Sequence, residues 1–210
     1  MTWSWIPGNA SMIWQLTWEN AKLGVLPALY GLLISLPLGI ASARWRWVYP
    51  PVLTVVNVLY AIPALAIFIV LIPAYGLTDT TVIIGLTVYS LCVIVPNVVA
   101  GLRAVPAPVR QSATAMGYGA LRRLAAVELP LAVPVIIAGL RVAVVSSISL
   151  ATLGQLIGVS SLGYFFIDGE QRDFPTEIYV SLVLVIVLAL VCDLVLVGVR
   201  RVLTPWMART

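Results

Sequence analysis

The sequence predicts an all-α membrane protein with five transmembrane helices, and three observations lead to this fold class. Hydrophobic residues make up 61% of the 210 positions and charged residues only 10%, which is too little polar surface to cover a water-soluble core. The mean hydropathy is +1.07, and apolar content this high also excludes a disordered chain. Five apolar stretches each reach the roughly 20 residues that a helix needs to cross a bilayer.

The first three spans are apolar runs at residues 23–43, 48–72 and 80–101. The first carries a glycine repeat, which gives that helix a small-residue face suited to close packing. The glycines are Gly24, Gly31 and Gly39. A proline inside a span leaves a backbone carbonyl without its helical hydrogen bond, so the helix can bend there. Such prolines indicate either bending that transport uses or kinks that are tolerated without a function. These prolines are Pro27, Pro37, Pro63, Pro96 and Pro134.

The last two spans, residues 131–153 and 178–199, each carry one charged residue at depth. Arg141 lies about 16 Å beyond Pro130, and Asp193 about 10 Å before Arg200, at the helical rise of about 1.5 Å per residue. Charges inside a bilayer are costly and normally paired, so we expect Arg141 and Asp193 to meet between these spans. The pair either locks the two helices together or takes part in gating or substrate movement.

Positive charge marks one side of the membrane. Nine of the twelve cationic residues follow spans one, three and five, whereas Lys22 and Arg172 lie on the other side among most of the acids. The positive-inside rule therefore places the N-terminus outside and the C-terminus in the cytoplasm, as an odd number of spans requires. The nine are Arg44, Arg46, Arg103, Arg110, Arg122, Arg123, Arg200, Arg201 and Arg209.

Tryptophan placement agrees with these span limits, because all seven indoles lie outside the predicted hydrocarbon region. Indole rings favour the headgroup level, where one side is apolar and the other is wet. The residues are Trp3, Trp5, Trp14, Trp18, Trp45, Trp47 and Trp206. Residues 10–22 form either a helix lying on the outer face or an N-terminal extension of span one.

The cytoplasmic loop at residues 103–130 is too polar to cross the membrane and too short to fold alone. Its pattern predicts a short helix at 109–116, a break at Gly117 and Gly119, and a second short helix at 120–127 that stops before Pro130. We expect residues 1–210 to form a single membrane domain. Two short helices at the cytoplasmic surface, joined by a glycine turn, are suited to docking a partner protein.

Within this loop, the run Gln111-Ser112-Ala113-Thr114-Ala115-Met116-Gly117 is followed by Glu128-Leu129-Pro130. It resembles the EAA loop of binding-protein-dependent ABC importer permeases, where Glu-Ala-Ala and a later glycine precede a hydrophobic stretch ending in Leu-Pro. Gln111 and Ser112 stand where the family has glutamate and alanine. The departure at Gln111 removes a negative charge that the family motif usually supplies.

Four separated segments carry a narrower resemblance. They are residues 60–66, 97–103 and 128–136, and Asp193 with the ending 200–205. In this order they resemble segments of the osmoprotectant (glycine betaine/carnitine/choline) permeases, and the resemblance covers about residues 25–205.

The resemblance implies a type I ABC importer permease fold, a place in the bacterial cytoplasmic (inner) membrane, and uptake of an osmoprotectant such as glycine betaine, choline, carnitine or proline. The implied partners are two ABC ATPase subunits, a second permease subunit (a copy or a paralogue) and an extracytoplasmic substrate-binding protein. The loop helix is implied to be a coupling helix that lies in a groove of the ATPase. The ATPase-coupling residues are Arg110, Gln111, Ser112, Ala113, Met116, Gly117, Arg122, Arg123, Glu128 and Pro130.

The single lysine bears on the source of energy. A P-loop needs Gly-Lys-Ser/Thr, but Lys22 follows Ala21 on the outer side. We therefore expect a transport subunit rather than an enzyme, without a cofactor of its own, and ATP and Mg²⁺ in the partner ATPase. Histidine is absent and both cysteines lie in apolar runs, so we expect neither a metal site nor a disulfide. The arginines serve topology, so no nucleic acid partner is expected.

Polar and aromatic residues within the spans are candidates for the translocation path. In span four, polar residues recur every three positions and form a stripe that either lines a path or hydrogen-bonds in helix packing. The candidates are Ser146, Ser149 and Thr152 in this stripe, and Tyr60, Pro63, Tyr89 and Asn97 elsewhere. The resemblance implies that substrate choice rests mainly with the external binding protein.

The outer segment at residues 154–177 is acidic and aromatic. It predicts either a surface that receives the binding protein or a re-entrant loop packed over the mouth of the path.

Two other function classes fit less well than an importer subunit. A secondary transporter or channel working without ATP would need intramembrane acids for a coupling ion, and Asp193 is the only clear one. A membrane-embedded enzyme would need a nucleophile–base pair or a metal site, which this sequence does not supply.

Overall fold

The computed structural model describes residues 5–206, and within this range every regular element is helical. The helices are α1 (Trp5–Gly8), α2 (Ala10–Arg44), α3 (Tyr49–Ala61), α4 (Ala64–Tyr75), α5 (Asp79–Arg103), α6 (Ala107–Ala115), α7 (Ala120–Arg123), α8 (Leu129–Ala151), α9 (Gly163–Gln171) and α10 (Pro175–Leu203). A π-helical turn, Leu124–Glu128, joins α7 to α8, and a 3-10 turn, Thr152–Ile157, follows α8. Trp3 and Arg209 lie outside the described residues.

Four of the five spans are single apolar helices, and the second span along the chain is a pair of helices. The single helices are α2, α5, α10 and the continuous helix from Ala120 to Ile157 that contains α8. The pair is α3 and α4, which meet at an angle of 94°. Counted as one broken span, this pair gives the five spans that the sequence predicts.

The second span is not one continuous helix, because it breaks at Ile62 and Pro63. A proline disfavours helical backbone in the residue before it, and Ile62 is extended, with φ −76° and ψ 130°. Pro63, with φ −57° and ψ 138°, then precedes the first residue of α4. The sequence predicts a proline kink here, but not that the bend is close to a right angle.

Helices α2, α5 and α8 pack at the centre of the described part, and glycine allows their close approach. A Cβ atom at Gly24 would lie 2.8 Å from the Cα of Ile148 in α8. One at Gly31 would lie 2.6 Å from the Cβ of Ser90 in α5, and Gly39 meets the same helix. These distances leave no room for a side chain, so the predicted small-residue face of span one is confirmed.

Residues 10–22 are the beginning of α2, so the extension of span one is the correct alternative. Asn20 is fully buried there. Its side-chain amide donates to the Ile148 carbonyl at 3.1 Å, and its side-chain oxygen accepts from the Leu162 N–H at 3.4 Å. Trp14 and Trp18 are exposed, as indoles at a membrane interface are expected to be.

The prediction that the second loop helix stops before Pro130 is wrong. Helix α7 continues through the π-helical turn into α8, and the result is one helix of 38 residues from Ala120 to Ile157. Pro130 lies in the first turn of α8, and the wider turn before it accommodates the missing N–H and the ring. The first loop helix is present as α6, and the turn after it uses Gly117 at φ +82°, a backbone conformation that favours glycine.

The outer segment between α8 and α10 packs onto the helix ends. Leu162 and Phe165 are fully buried and cluster with Leu16 of α2. On its surface, Arg172 pairs with Asp168 at 2.6 Å, and this hydrogen bond raises the pKa of the Arg172 guanidinium. The segment is therefore a folded part of the protein, and its role in receiving a binding protein stays a prediction.

Candidate functional site

Helix α6 exposes most of its surface on the arginine-rich side of the protein. Ala113 is its only buried residue, whereas Gln111 and Ser112 are exposed. Met116, which follows the helix, is 67% exposed. An exposed helix beside an exposed methionine is a surface that another protein can cover, because methionine adapts to the shape of a partner.

Arg123 links α6 to the fourth span through polar contacts. Its Nε donates to Oε1 of Glu128 at 2.8 Å, and its Nη1 donates to Oγ1 of Thr114 at 2.9 Å. Thr114 belongs to α6 and Glu128 closes the π-helical turn, so one guanidinium holds α6 against the start of α8. The resemblance points to Arg123 and Glu128. Thr114 lies in the motif run but is not among the predicted coupling residues, because nothing in the sequence distinguishes it from its neighbours.

The remaining predicted coupling residues shape the loop or face outward. Arg110 donates from Nη2 to the Val105 carbonyl at 2.9 Å, which ties α6 to the turn before it. The Arg122 guanidinium lies over the Tyr118 ring, 4.4 Å from the ring centroid. Their role in coupling remains a prediction from the resemblance.

A cavity of about 280 Å³ opens beside the break in the second span. Four of the predicted path residues line it, namely Tyr60, Pro63, Tyr89 and Ser146. The rings of Tyr60 and Tyr89 have centroids 5.5 Å apart, and the Tyr89 hydroxyl donates to the Ile62 carbonyl at the helix break. The described residues that line this cavity carry no charge. We call it the tyrosine cavity.

Three predicted path residues do not line the tyrosine cavity. Asn97 packs against Gly139, and its side-chain amide donates to the Val93 carbonyl of its own helix at 2.8 Å. The Thr152 hydroxyl donates to the Ser149 carbonyl at 2.7 Å in the turn after α8. The structure therefore separates these residues from the aromatic pair, and a path role for them stays a prediction.

The sequence analysis misses two buried serines at the tyrosine cavity, Ser90 and Ser147. Their hydroxyl oxygens are 3.4 Å apart between α5 and α8, and both residues line the cavity. Ser146 stood out because it belongs to a polar stripe with a three-residue period. Ser90 and Ser147 belong to no such stripe, so only the packing of the helices reveals them.

Arg141 and Asp193 come together between α8 and α10. Nε of Arg141 donates to Oδ1 of Asp193 at 2.6 Å, and Nη2 donates to Oδ2 at 2.7 Å. Two parallel charge-assisted hydrogen bonds are the strong form of this contact. In α10 the only buried residues are Thr176, Glu177 and Ser181 near its outer end, so the pair fixes the helix in a part that is otherwise not buried.

The described residues offer no group of three or more His, Cys, Asp or Glu side chains that could hold a metal ion. Cys92 and Cys192 are both free thiols. Cys92 donates from Sγ to the Val56 carbonyl at 2.9 Å, which links α5 to α3.

Solved structures confirm the fold. A chain of the MetNI methionine ABC transporter in an inward-facing conformation superposes with a TM-score of 0.79 at 20% sequence identity, covering 97% of this chain and 100% of that chain. A second crystal form of the same transporter gives a TM-score of 0.81 at 19% identity. At such identities the likeness shows the fold alone, and it is the importer permease fold that the resemblance implies.

Sequence relatives cover nearly the whole chain. The glycine betaine/carnitine/choline transport system permease protein OpuCD of Bacillus subtilis strain 168 is 34% identical over 198 residues, which is 94% of this chain and 86% of that protein. The carnitine transport permease protein OpuCD of Listeria monocytogenes strain 10403S is 32% identical, with 94% and 89% covered. The osmoprotectant import permease protein OsmW of Salmonella typhimurium is 31% identical, with 94% of each covered.

The family assignment rests on most of the sequence rather than on the loop motif alone. Residues 35–209 match the family described as binding-protein-dependent transport system inner membrane component. This match takes in the helix α6, the tyrosine cavity and the Arg141–Asp193 pair. The chain belongs to the family of binding-protein-dependent transport system inner membrane components.

Proposed function

We propose that the chain is the permease subunit of an ABC importer that takes up a small osmoprotectant, such as glycine betaine, choline, carnitine or proline, driven by ATP hydrolysis in a separate subunit. One observation carries this proposal. The exposed helix α6 is joined through Arg123 to a 38-residue helix that also lines the tyrosine cavity at Ser146. A docking surface and a polar cavity on one rigid element are what an ATP-driven permease requires.

The proposed partners would cover surfaces that are exposed in this chain. Two ATPase subunits would bind ATP and Mg²⁺ and dock on the α6 helices of two permease subunits. The second permease, a copy of this chain or a paralogue, would cover the exposed apolar side of α3 and α4. There Val55, Val58 and Val70 are exposed by 58%, 60% and 76%. An extracytoplasmic binding protein would deliver the substrate to the outer side.

The tyrosine cavity is the proposed part of the translocation path in this subunit. Aromatic faces attract quaternary ammonium groups through cation–π interactions, and glycine betaine, choline and carnitine all carry such a group. Because the described lining residues are uncharged, the cavity would hold the cation weakly enough to release it. The Arg141–Asp193 pair would lock spans four and five together rather than bind substrate.

The alternative is a secondary transporter or channel that works without ATP, and it has less support. Both carboxylate oxygens of Asp193 accept hydrogen bonds from Arg141. The one fully buried acid of the described spans, Glu177, lies at the outer end of α10, where Arg172 is 3.6 Å away. A coupling ion would therefore find no unpaired carboxylate in the middle of a described span.

The test is uptake of radiolabelled glycine betaine by membrane vesicles that contain this chain with the second permease, the ATPase and the binding protein encoded beside it. We expect uptake only when ATP is present on the membrane side that carries the ATPase and the binding protein is present on the other side. Uptake that continues without ATP, or that follows an imposed ion gradient, would contradict the proposal. Choline, carnitine and proline as unlabelled competitors would then rank the substrates.

A further inference from the structure

A second cavity, of about 540 Å³, lies at the cytoplasmic ends of the spans and has no part in the proposed transport path. Its walls come from the ends of α2 and α5, from α6, and from the beginning of the helix that contains α8. Its charged residues are Arg44, Arg103, Arg110, Arg123 and Glu128. We call it the arginine cavity.

The arginine cavity keeps a positive charge, because its single acid is already paired. Glu128 forms an ion pair with Arg123 at 2.8 Å. Arg44, Arg103 and Arg110 take part in no ion pair among residues 5–206. Arg103 and Arg110 each use one guanidinium nitrogen on a backbone carbonyl, so further N–H groups remain available. Three guanidinium groups around one opening suit an anion with several oxygen acceptors.

The lining of the arginine cavity also has an apolar part on α2, towards the middle of the first span. This part includes Pro37 and Ile40. Pro37 precedes Arg44 by about 10 Å along α2, at the helical rise of about 1.5 Å per residue. Trp45 also lines the cavity and is 53% exposed, which places the opening at the headgroup level. A ligand that matches both parts has an anionic head and an apolar tail.

We propose that the arginine cavity binds the phosphate headgroup of an anionic phospholipid, such as phosphatidylglycerol, with an acyl chain along the apolar part of the cavity on α2. Basic pockets between transmembrane helices on the cytoplasmic side are suited to anionic lipid headgroups. The cavity has the size of a small-molecule site. The lipid would connect α2 and α5 to α6, so it would set how firmly the docking helix is held.

The test uses the purified full-length chain in detergent, incubated with equal amounts of phosphatidylglycerol and phosphatidylcholine. Native mass spectrometry then counts the lipid that each chain retains. We expect one tightly held phosphatidylglycerol per chain and no comparable retention of phosphatidylcholine. Inorganic phosphate and glycerol phosphate in millimolar excess should not displace the lipid, because they cannot use the apolar part of the cavity.

The test variant is the double substitution Arg44→Gln/Arg103→Gln, and the control is Arg200→Gln/Arg201→Gln. Both remove two positive charges from the cytoplasmic side, but only the first pair lines the cavity. We expect affinity for phosphatidylglycerol to fall by about 25-fold in the test variant, since each arginine near an anionic surface contributes roughly a fivefold factor. The control should bind nearly as the unchanged chain does.

A single substitution keeps the test decisive if the double variant fails to fold. Arg44 makes no side-chain hydrogen bond or ion pair within residues 5–206, so Arg44→Gln breaks no polar contact of the described chain. Its expected effect is a loss of about fivefold in affinity for phosphatidylglycerol. Equal retention of both lipids, an equal effect in the control pair, or displacement by inorganic phosphate would each overturn the proposal.

Discussion

The carboxylate of Asp193 and the guanidinium of Arg141 stabilise the spans only while both are present. The two side chains are 30% and 24% exposed, so removing one partner leaves a charge that is only partly shielded by the protein, and this costs about 1–3 kcal/mol. We expect Asp193→Leu and Arg141→Met each to lower the free energy of unfolding by this amount. The double variant should lose less than either single variant. Thermal unfolding of the purified chain in lipid–detergent micelles measures all three.

A pair within a single helix provides the control for this prediction. Lys22 and Glu19 are 2.5 Å apart, but both belong to α2 and so connect no two spans. Ion pairs between neighbouring turns of one helix contribute about 0.3–0.5 kcal/mol, so Lys22→Gln should change stability little. If the losses in the two Arg141 and Asp193 single variants simply add in the double variant, the pair does not lock the spans.

Tyr60 presents its ring to the tyrosine cavity, and the chemistry of that ring is testable on its own. Tyr60→Phe keeps an aromatic face, whereas Tyr60→Leu keeps only apolar bulk. If a quaternary ammonium group passes this ring, Tyr60→Leu should lower the maximal rate of glycine betaine uptake by about two- to fivefold, since the binding protein would set the half-saturating concentration. Tyr60→Phe should leave that rate nearly unchanged. Equal uptake by the two variants would argue against a cation–π contact at this position.

At the scale of the helices, the packing of α2 on α8 depends on a glycine that faces backbone. A methyl group at Gly24 would meet the Cα of Ile148 at 2.8 Å, and a backbone atom cannot rotate away. We expect Gly24→Ala to lower the free energy of unfolding by about 1–3 kcal/mol, because α2 has to move away from α8. Thermal unfolding in lipid–detergent micelles is the measurement.

The matched control is Gly198→Ala in α10, where an added Cβ would find nothing within 4 Å. Alanine is the better helix former, so this substitution should be neutral or slightly stabilising. A Gly24→Ala variant as stable as Gly198→Ala would mean that α2 and α8 do not pack this closely in the membrane.

The helices themselves could be predicted from the sequence because length and hydropathy decide which segments cross a bilayer. Which proline separates two helices could not be predicted. Pro63 and Pro130 are both prolines at a helix end or start, yet Pro63 separates two helices at 94° whereas Pro130 lies inside a continuous 38-residue helix. The difference lies in the π-helical turn before Pro130, across which Arg123 pairs with Glu128, and no local pattern in the sequence shows such a turn.

The part of the candidate site that could be predicted is the ion pair, because leaving a charge unpaired in a bilayer costs much free energy. A charge inside a bilayer needs a partner, so Arg141 and Asp193 could be paired from the sequence. Tyr60 and Tyr89 could be named only as separate candidates, because no local pattern shows that their rings meet. Ser90 is identified only by the tertiary packing of α5 against α8.

At the scale of the whole molecule, one continuous helix connects α6, the proposed docking surface, with the tyrosine cavity. Arg123 near its cytoplasmic end holds α6, and Ser146 lines the cavity about 35 Å further along at the helical rise of about 1.5 Å per residue. This helix is packed against α2 and α5, so a displacement at one end can reach the other. We expect movement of α6 by a partner to reach the cavity mainly through the contact at Arg123.

We expect the substitution Arg123→Gln to separate ATP hydrolysis from transport in the assembled transporter. The variant loses the ion pair with Glu128 and the hydrogen bond to Thr114, so α6 can move without moving α8. We expect glycine betaine uptake to fall by about tenfold, in proportion to the loss of charge-assisted hydrogen bonds, while ATP hydrolysis continues. Arg46→Gln is the control, because it removes the same charge from an exposed position on the cytoplasmic side that forms no ion pair within residues 5–206. Both activities are measured in the same vesicles. A parallel loss of hydrolysis and uptake, or an equal loss in the two variants, would show that Arg123 does not transmit the movement.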